Sequence, residues 1–132
     1  MRVMLDTNIC IYIIKKHPEN ALKKFKDFEV GDVFISSITY AELMFGVHKS
    51  HHHVKNKHAL EEFTAPLEIV PFDSDAAEYY GALRAHLEKK GKLIGSLDMM
   101  IAAHALALNL TLVTNNKKEF ARVPDLRVVD WV

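Results

Sequence analysis

Short apolar runs recur along the chain, each closed by polar turn residues and followed by a stretch with helical spacing. Arg2-Val3-Met4-Leu5 stops at Asp6-Thr7-Asn8, residue types that favour turns and helix starts, so the pattern predicts a strand, a loop and a helix from Ile9 to Lys16. His17-Pro18 closes that helix, and Pro18 opens the next one, through about Phe28. After a turn at Gly31-Asp32, Val33-Phe34-Ile35 reads as a buried strand, and Ser36-Ser37-Ile38-Thr39 leads into a helix with Tyr40, Leu43, Met44 and Val47 on one face. Residues 51–64 form a polar, His-rich helix with few apolar positions (Val54, Leu60, Phe63), expected at the periphery and ended by Pro66. Leu67 to Phe72 is a third strand, after which Asp73 or Ser74 caps a long helix to Lys90, stopped by Gly91. Leu97 to Leu108 is apolar almost all round and should be buried; Asn109 ends it before the strand Leu110 to Val113. A short helix over 117–121, a turn at Pro124-Asp125 and a last strand from Leu126 to Val129 complete the pattern.

Strands alternating with helices in this way predict an α/β fold, a three-layer arrangement with a central parallel sheet flanked by helices, in one domain spanning residues 1–132. Such sheets place their sites beyond the carboxyl ends of the strands, so the polar loops after each strand are where chemistry is expected. Composition narrows the class: 49% hydrophobic and 26% charged residues exclude a disordered or collagen-like chain. No apolar run approaches the ~20 residues of a membrane span, and Asp6 interrupts the N-terminus before a signal-peptide core could form, so a cytoplasmic protein without membrane contact is expected. The single Cys10 excludes an internal disulfide and a multi-cysteine zinc site and is expected as a buried structural thiol. The net charge of +0 excludes a general polycation, leaving nucleic-acid contact to local patches. One patch runs from Lys15 to Lys26, and a second holds Lys49, Lys55 and Lys57 among His48, His51, His52, His53 and His58.

Three acids stand in apolar surroundings near predicted strand ends or helix starts: Asp6, Glu42 and Asp98. A parallel sheet gathers such positions at one edge, where several carboxylates repel one another unless a cation binds, and oxygen-only ligands suit Mg²⁺, with Mn²⁺ as a substitute, rather than zinc. Each has a structural alternative. Asp6 could cap the following helix, Thr39-x-x-Glu42 fits a capping box in which Glu42 reaches back to the Thr39 amide, and Asp98 complements a helix dipole after Ser96. Asn8, Ser37, Thr39, Thr114, Asn115 and Asn116 supply neutral oxygens and donors near the same edge, or serve as ordinary turn and cap residues. Glu119 is a fourth acid there, able to complete a second metal site or to lie at the surface of a short helix. The histidine cluster is read as a surface facing solvent, a partner or a phosphate backbone rather than a metal site, and His104 as a satisfied core histidine. Phosphate-binding loops, dinucleotide fingerprints, serine-hydrolase elbows and zinc-protease motifs are all missing, which leaves magnesium-dependent attack on a phosphodiester as the simplest use of clustered carboxylates.

Four blocks in order, Met4-Leu5-Asp6-Thr7-Asn8, Ile35 to Leu43, Ile94 to Ala105 and Val113 to Phe120, together with the closing Asp130-Trp131, resemble the PIN-domain ribonucleases, and among them the VapC toxins of bacterial toxin–antitoxin modules. The resemblance covers nearly the whole chain. It implies a homodimeric, magnesium-dependent endoribonuclease restrained by a VapB-type antitoxin whose C-terminal segment covers the active site, with operator DNA bound through that antitoxin. Asp6 and Asp98 match the family's metal-binding aspartates and Glu42 the third acid, while Thr7, Asn8, Ser37 and Thr114 match polar residues of the same pocket. Where many relatives carry a fourth acid this chain has Asn116, and Glu119 matches the acid three residues later, a departure that bears on a second metal ion. RNA would be held by lysines and Arg84, with tRNA, and initiator tRNA in its anticodon stem-loop, as the substrate the resemblance leans toward. The alternatives are a nuclease of the same fold that processes RNA without an antitoxin, and a catalytically weak RNA-binding or dimerisation module.

Overall fold

The computed structural model describes residues 1–132. In chain order it contains β1 (Val3–Leu5), α1 (Thr7–Lys15), α2 (Glu19–Lys26), β2 (Val33–Ser36), α3 (Ser37–Lys49), α4 (His53–Thr64), β3 (Glu68–Val70), α5 (Ser74–Lys89), α6 (Ser96–Leu108), β4 (Thr111–Val113), α7 (Lys117–Phe120) and β5 (Val128–Val129). All neighbouring strands pair in parallel, in the order β3-β2-β1-β4-β5, with Met4 opposite both Phe34 and Leu112. The α/β sandwich expected from the alternating pattern is therefore present.

Side chains alternate across the pleat, and both faces are covered. Val3, Leu5, Val33, Ile35 and Val113 point to one cluster with Ile9, Ile13, Ala21, Leu43, Leu60 and Trp131 from the first four helices and the C-terminus. Met4, Phe34 and Leu112 point to the other, with Leu83, Leu87, Ile101 and Phe120. This accounts for the wholly apolar β1 and for β4, where Thr111 is the one polar residue and is buried: neither strand has a solvent face to furnish with polar residues. Edge strand β3 differs: Glu68 and Ile69 are exposed, and Pro71 follows where no further ladder donor is needed. Here the strand is shorter than the Leu67 to Phe72 run suggested.

Helix ends follow local chemistry. Asp73 rather than Ser74 caps α5, accepting from the Ala76 N–H at 3.0 Å. Gly91 (φ +66°) follows α5, and Asn109 in the left-handed region ends α6, as their residue types dictate. The His-rich α4 is peripheral at its start, where Val54 is exposed, yet its last turns insert Leu60 and Phe63 into the core. Cys10 is fully buried, and burial pushes its thiol well above the ordinary range, which leaves it inert.

The strand order reverses across β1. The chain first moves outward through β2 and β3, then returns to the other side of β1 for β4 and β5. A crevice outside the carboxyl ends of β1 and β4 is the expected site in such a sheet.

Candidate active site

Asp6 is the first residue beyond β1. Its backbone N–H donates to the Val113 carbonyl (3.0 Å) at the end of β4, and its carboxylate caps α1 by accepting from the Ile9 N–H at 2.9 Å. The helix thus begins at Thr7, two residues before the apolar pattern suggested, because Asp6 supplies the cap. The Asp6 carboxylate is buried, and desolvation raises its pKa; the Thr114 hydroxyl and the Ile9 amide oppose this, while the charge of Glu42 adds to it.

Glu42 does not form the capping box with Thr39. Ser36 caps α3 instead, accepting from the Ile38 N–H at 3.0 Å, so Thr39 lies inside the helix and Glu42 is released from its first turn. Its Oε1 accepts from the Thr7 hydroxyl at 2.6 Å, and Thr39 Oγ1 lies 3.5 Å from the same hydroxyl. The carboxylate is thereby turned across to the start of α1, toward Asp6.

Asp98 lies in the first turn of α6, after Gly95, which offers no side-chain cap. Burial pushes its carboxyl up to about 6, with further contributions from the charges of Glu119, Asp6 and Glu42. The four acids thus form one electrostatic group, although they come from the end of β1, the second turn of α3, the first turn of α6 and the short α7. Glu119 does more than face solvent: it accepts from the Gly95 N–H at 3.2 Å and from the Asn116 amide at 2.5 Å, tying α7 to the start of α6.

The neutral residues divide. Thr114 is buried beside Asp6 and accepts from the Asn116 N–H at 3.0 Å. Asn115 donates to the Tyr12 hydroxyl at 3.0 Å, and Ser37 accepts from the Phe72 N–H at 3.0 Å, fastening α3 to the end of β3. Asn8 is exposed on α1. Arg84 is not drawn into this network; it lies on exposed α5, donating to Tyr80 Oη at 3.0 Å and facing Glu88. Tyr12 escaped the sequence reading. A single phenol in an otherwise aliphatic helix is the signal that could have found it, because a partly buried tyrosine needs a partner for its hydroxyl.

His104 is only half the satisfied core histidine expected. Nδ1 meets Ser36 Oγ at 2.9 Å, but buried Nε2 has no hydrogen-bond partner; the Phe72 ring packs on the imidazole in a T-shaped contact, centroids 5.5 Å apart. Burial lowers its pKa.

The donor set, carboxylates with hydroxyls and amides, suits a hard divalent cation and not a thiolate-seeking metal. No three acidic, imidazole or thiol side chains close into a ligating cage by themselves. A hard cation such as Mg²⁺ keeps several waters and needs only one or two carboxylates directly.

The PIN domain family matches residues 3–126. The chain belongs to the PIN-domain family. Among PIN relatives it is 47% identical to Ribonuclease VapC2 of Rickettsia felis over 99% of this chain and 98% of the relative. It is 42% identical to the tRNA(fMet)-specific endonuclease VapC of Salmonella typhimurium, over 99% and 98%. The structure of VapBC2 from Rickettsia felis bound to a DNA fragment from its promoter contains a chain that superposes on this PIN domain with a TM-score of 0.94, at 45% identity and full coverage of both.

Proposed function

We propose that this PIN domain is a Mg²⁺-dependent endoribonuclease, the toxin of a VapBC-type toxin–antitoxin pair. The observation that carries the reading is the convergence of Asp6, Glu42, Asp98 and Glu119 on one electrostatic group at the switch point of the sheet. Full-length similarity to proteins named as VapC ribonucleases supports it. Asp6 and Asp98 would hold the cation, whose chemistry is to polarise the scissile phosphate and make a water nucleophilic at neutral pH. Asp6 is held rigid by the Ile9 amide and by Thr114, so it enters without reorganising. Glu42, aimed by Thr7, orients the attacking water and takes its proton. Glu119 fixes the start of α6 and through it the position of Asp98; Asn116 stands where a further acid would complete a second cation site and donates instead to Glu119.

The similarity to a protein named tRNA(fMet)-specific endonuclease VapC, at 42% identity, supports tRNA as the substrate class, with arrest of translation as the cellular effect. The partner is a VapB-type antitoxin, in a complex of homodimeric toxin that binds operator DNA through the antitoxin; relatives have been solved as VapBC complexes on DNA. An apolar groove lined by Ile11, Ile14, Leu43, Val47 and Leu60 runs from Glu42 between α1, α3 and α4 and suits an antitoxin segment that blocks the acids. No helix is long and apolar enough to cross a membrane; a toxin that cuts tRNA would act in the cytoplasm.

Expression of the chain alone in a bacterial host should halt incorporation of labelled amino acids, and co-expression of the antitoxin encoded beside it should restore incorporation. Undiminished synthesis by cells containing folded protein would defeat the toxin reading. Thr7→Val should lower cleavage of a labelled tRNA by about 10- to 100-fold, the usual effect of losing a residue that orients a ligand or base, while Thr7→Ser retains most of the rate. Equal rates for Thr7→Val and wild type would show that Glu42 does not depend on that hydroxyl.

A further inference from the structure

One basic and aromatic strip lies outside the carboxylate group. Glu42, Phe45 and Lys49 stand at i, i+3 and i+7 of α3, on one side of the helix. Phe45 is 67% exposed, and the Lys49 ammonium lies 5.8 Å from its ring centroid. Beyond the helix end, His51, His52, His53 and Lys55 line a shallow, open depression at the α3–α4 turn. Between Leu43 and Leu60 the chain carries three lysines, five histidines and no acid, in a protein whose net charge is +0. The nearest acids are Glu42 itself, at the head of the strip, and Glu61 and Glu62 on α4, of which Glu62 is engaged by His58 at 3.2 Å. The imidazoles do not converge as a metal site.

We propose that this strip is a track for single-stranded RNA continuous with the active site, with a base stacked on Phe45 and backbone phosphates on Lys49 and the His51–Lys55 turn. The inference rests on the ribonuclease reading and adds to it the place where the substrate strand runs. An exposed aromatic face flanked by cations is what an unpaired strand requires, since each base offers a π-face and each linkage a charge. A duplex hides those faces by stacking. A protein partner would need a broader apolar patch, whereas Phe45 and Val54 stand singly among charged residues. At 1.5 Å rise per residue, Phe45 lies about 5 Å and Lys49 about 10 Å along the helix from Glu42. A few nucleotides therefore bridge the acids and the basic turn.

The test measures binding of a fluorescein-labelled ten-nucleotide single-stranded RNA to the full chain in chelator, across a salt series, for wild type, Phe45→Ala and the double variant Lys49→Gln/Lys55→Gln. Phe45→Ala should weaken binding by about 5- to 100-fold. The double variant should reduce the slope of log affinity against log salt by about 1.4, the counterion release of two phosphate contacts on a single strand. Both variants should melt within a few degrees of wild type, because the altered side chains are exposed. Wild-type affinity and slope in both variants would overturn the track, as would no measurable binding by the wild type, or a loss confined to a duplex DNA probe of the same length. Cleavage of total RNA in Mg²⁺ is scored separately: a wild type that cleaves while the variants bind normally overturns the track alone, and a wild type that never cleaves overturns the ribonuclease reading and the track with it.

Discussion

Asp6→Asn and Asp98→Asn are each expected to lower RNA cleavage by more than about 100-fold while leaving the protein folded. Loss of a residue that merely supports a metal ligand costs about 10- to 100-fold, so loss of a ligand carboxylate should cost more. The choice of asparagine matters at position 6. Its side-chain oxygen can still accept from the Ile9 N–H, so the α1 cap survives and the loss reports on charge rather than on a frayed helix. Initial rates at saturating Mg²⁺, with circular dichroism as the control, would check this. Activity within tenfold of wild type in either variant would mean that the carboxylate is structural.

Removing the Asp98 charge should also stabilise the protein when no divalent cation is present. Its carboxyl is pushed up from an ordinary value of 3.8 to about 6 by burial and by the neighbouring acids, so the folded protein binds this proton more tightly than the unfolded chain does. That contribution is complete at low pH and is lost as pH rises between the two values. At neutral pH the folded state bears the whole penalty, of the order of 1–3 kcal/mol for this half-buried group. Asp98→Asn should therefore raise the melting temperature in chelator at pH 7 by about 3–8 °C, and Mg²⁺ should stabilise the wild type more than the variant. His104 acts in the opposite sense: its lowered pKa means that its neutral form supports the fold, and stability falls as pH drops below the ordinary histidine value. Melting the Asp98→Asn variant between pH 5 and pH 7.5 should expose the His104 contribution free of Asp98. A large destabilisation by Asp98→Asn in chelator would make Asp98 chiefly a helix-start residue.

The fold was legible because both faces of the sheet are buried and the helix stops are chemically explicit. The runs at Val3–Leu5 and Thr111–Val113, and Gly91 and Asn109 at helix ends, leave few other arrangements. The acids were legible through their apolar contexts, and the gathering edge through strand–helix alternation. What escaped was decided by long-range contacts. Glu42 fits a capping box locally, but Ser36 begins the helix earlier and Thr7, distant in sequence, takes the carboxylate. Tyr12 acquires its role only when the β4 loop brings Asn115 to it. The surroundings of His104 are likewise long-range: Ser36 meets its Nδ1 and Phe72, beyond edge strand β3, packs on its ring, leaving Nε2 without a partner.

The most direct test incubates the purified protein with total bacterial RNA in Mg²⁺ or in chelator, beside Asp6→Asn, and sequences the new RNA ends. Discrete internal ends that require both Mg²⁺ and the Asp6 carboxylate are the predicted result, and their positions would name the substrate. Ends that persist in chelator or in the Asp6→Asn protein, or RNA that is bound and left whole, would contradict a cation-dependent endoribonuclease built on these acids.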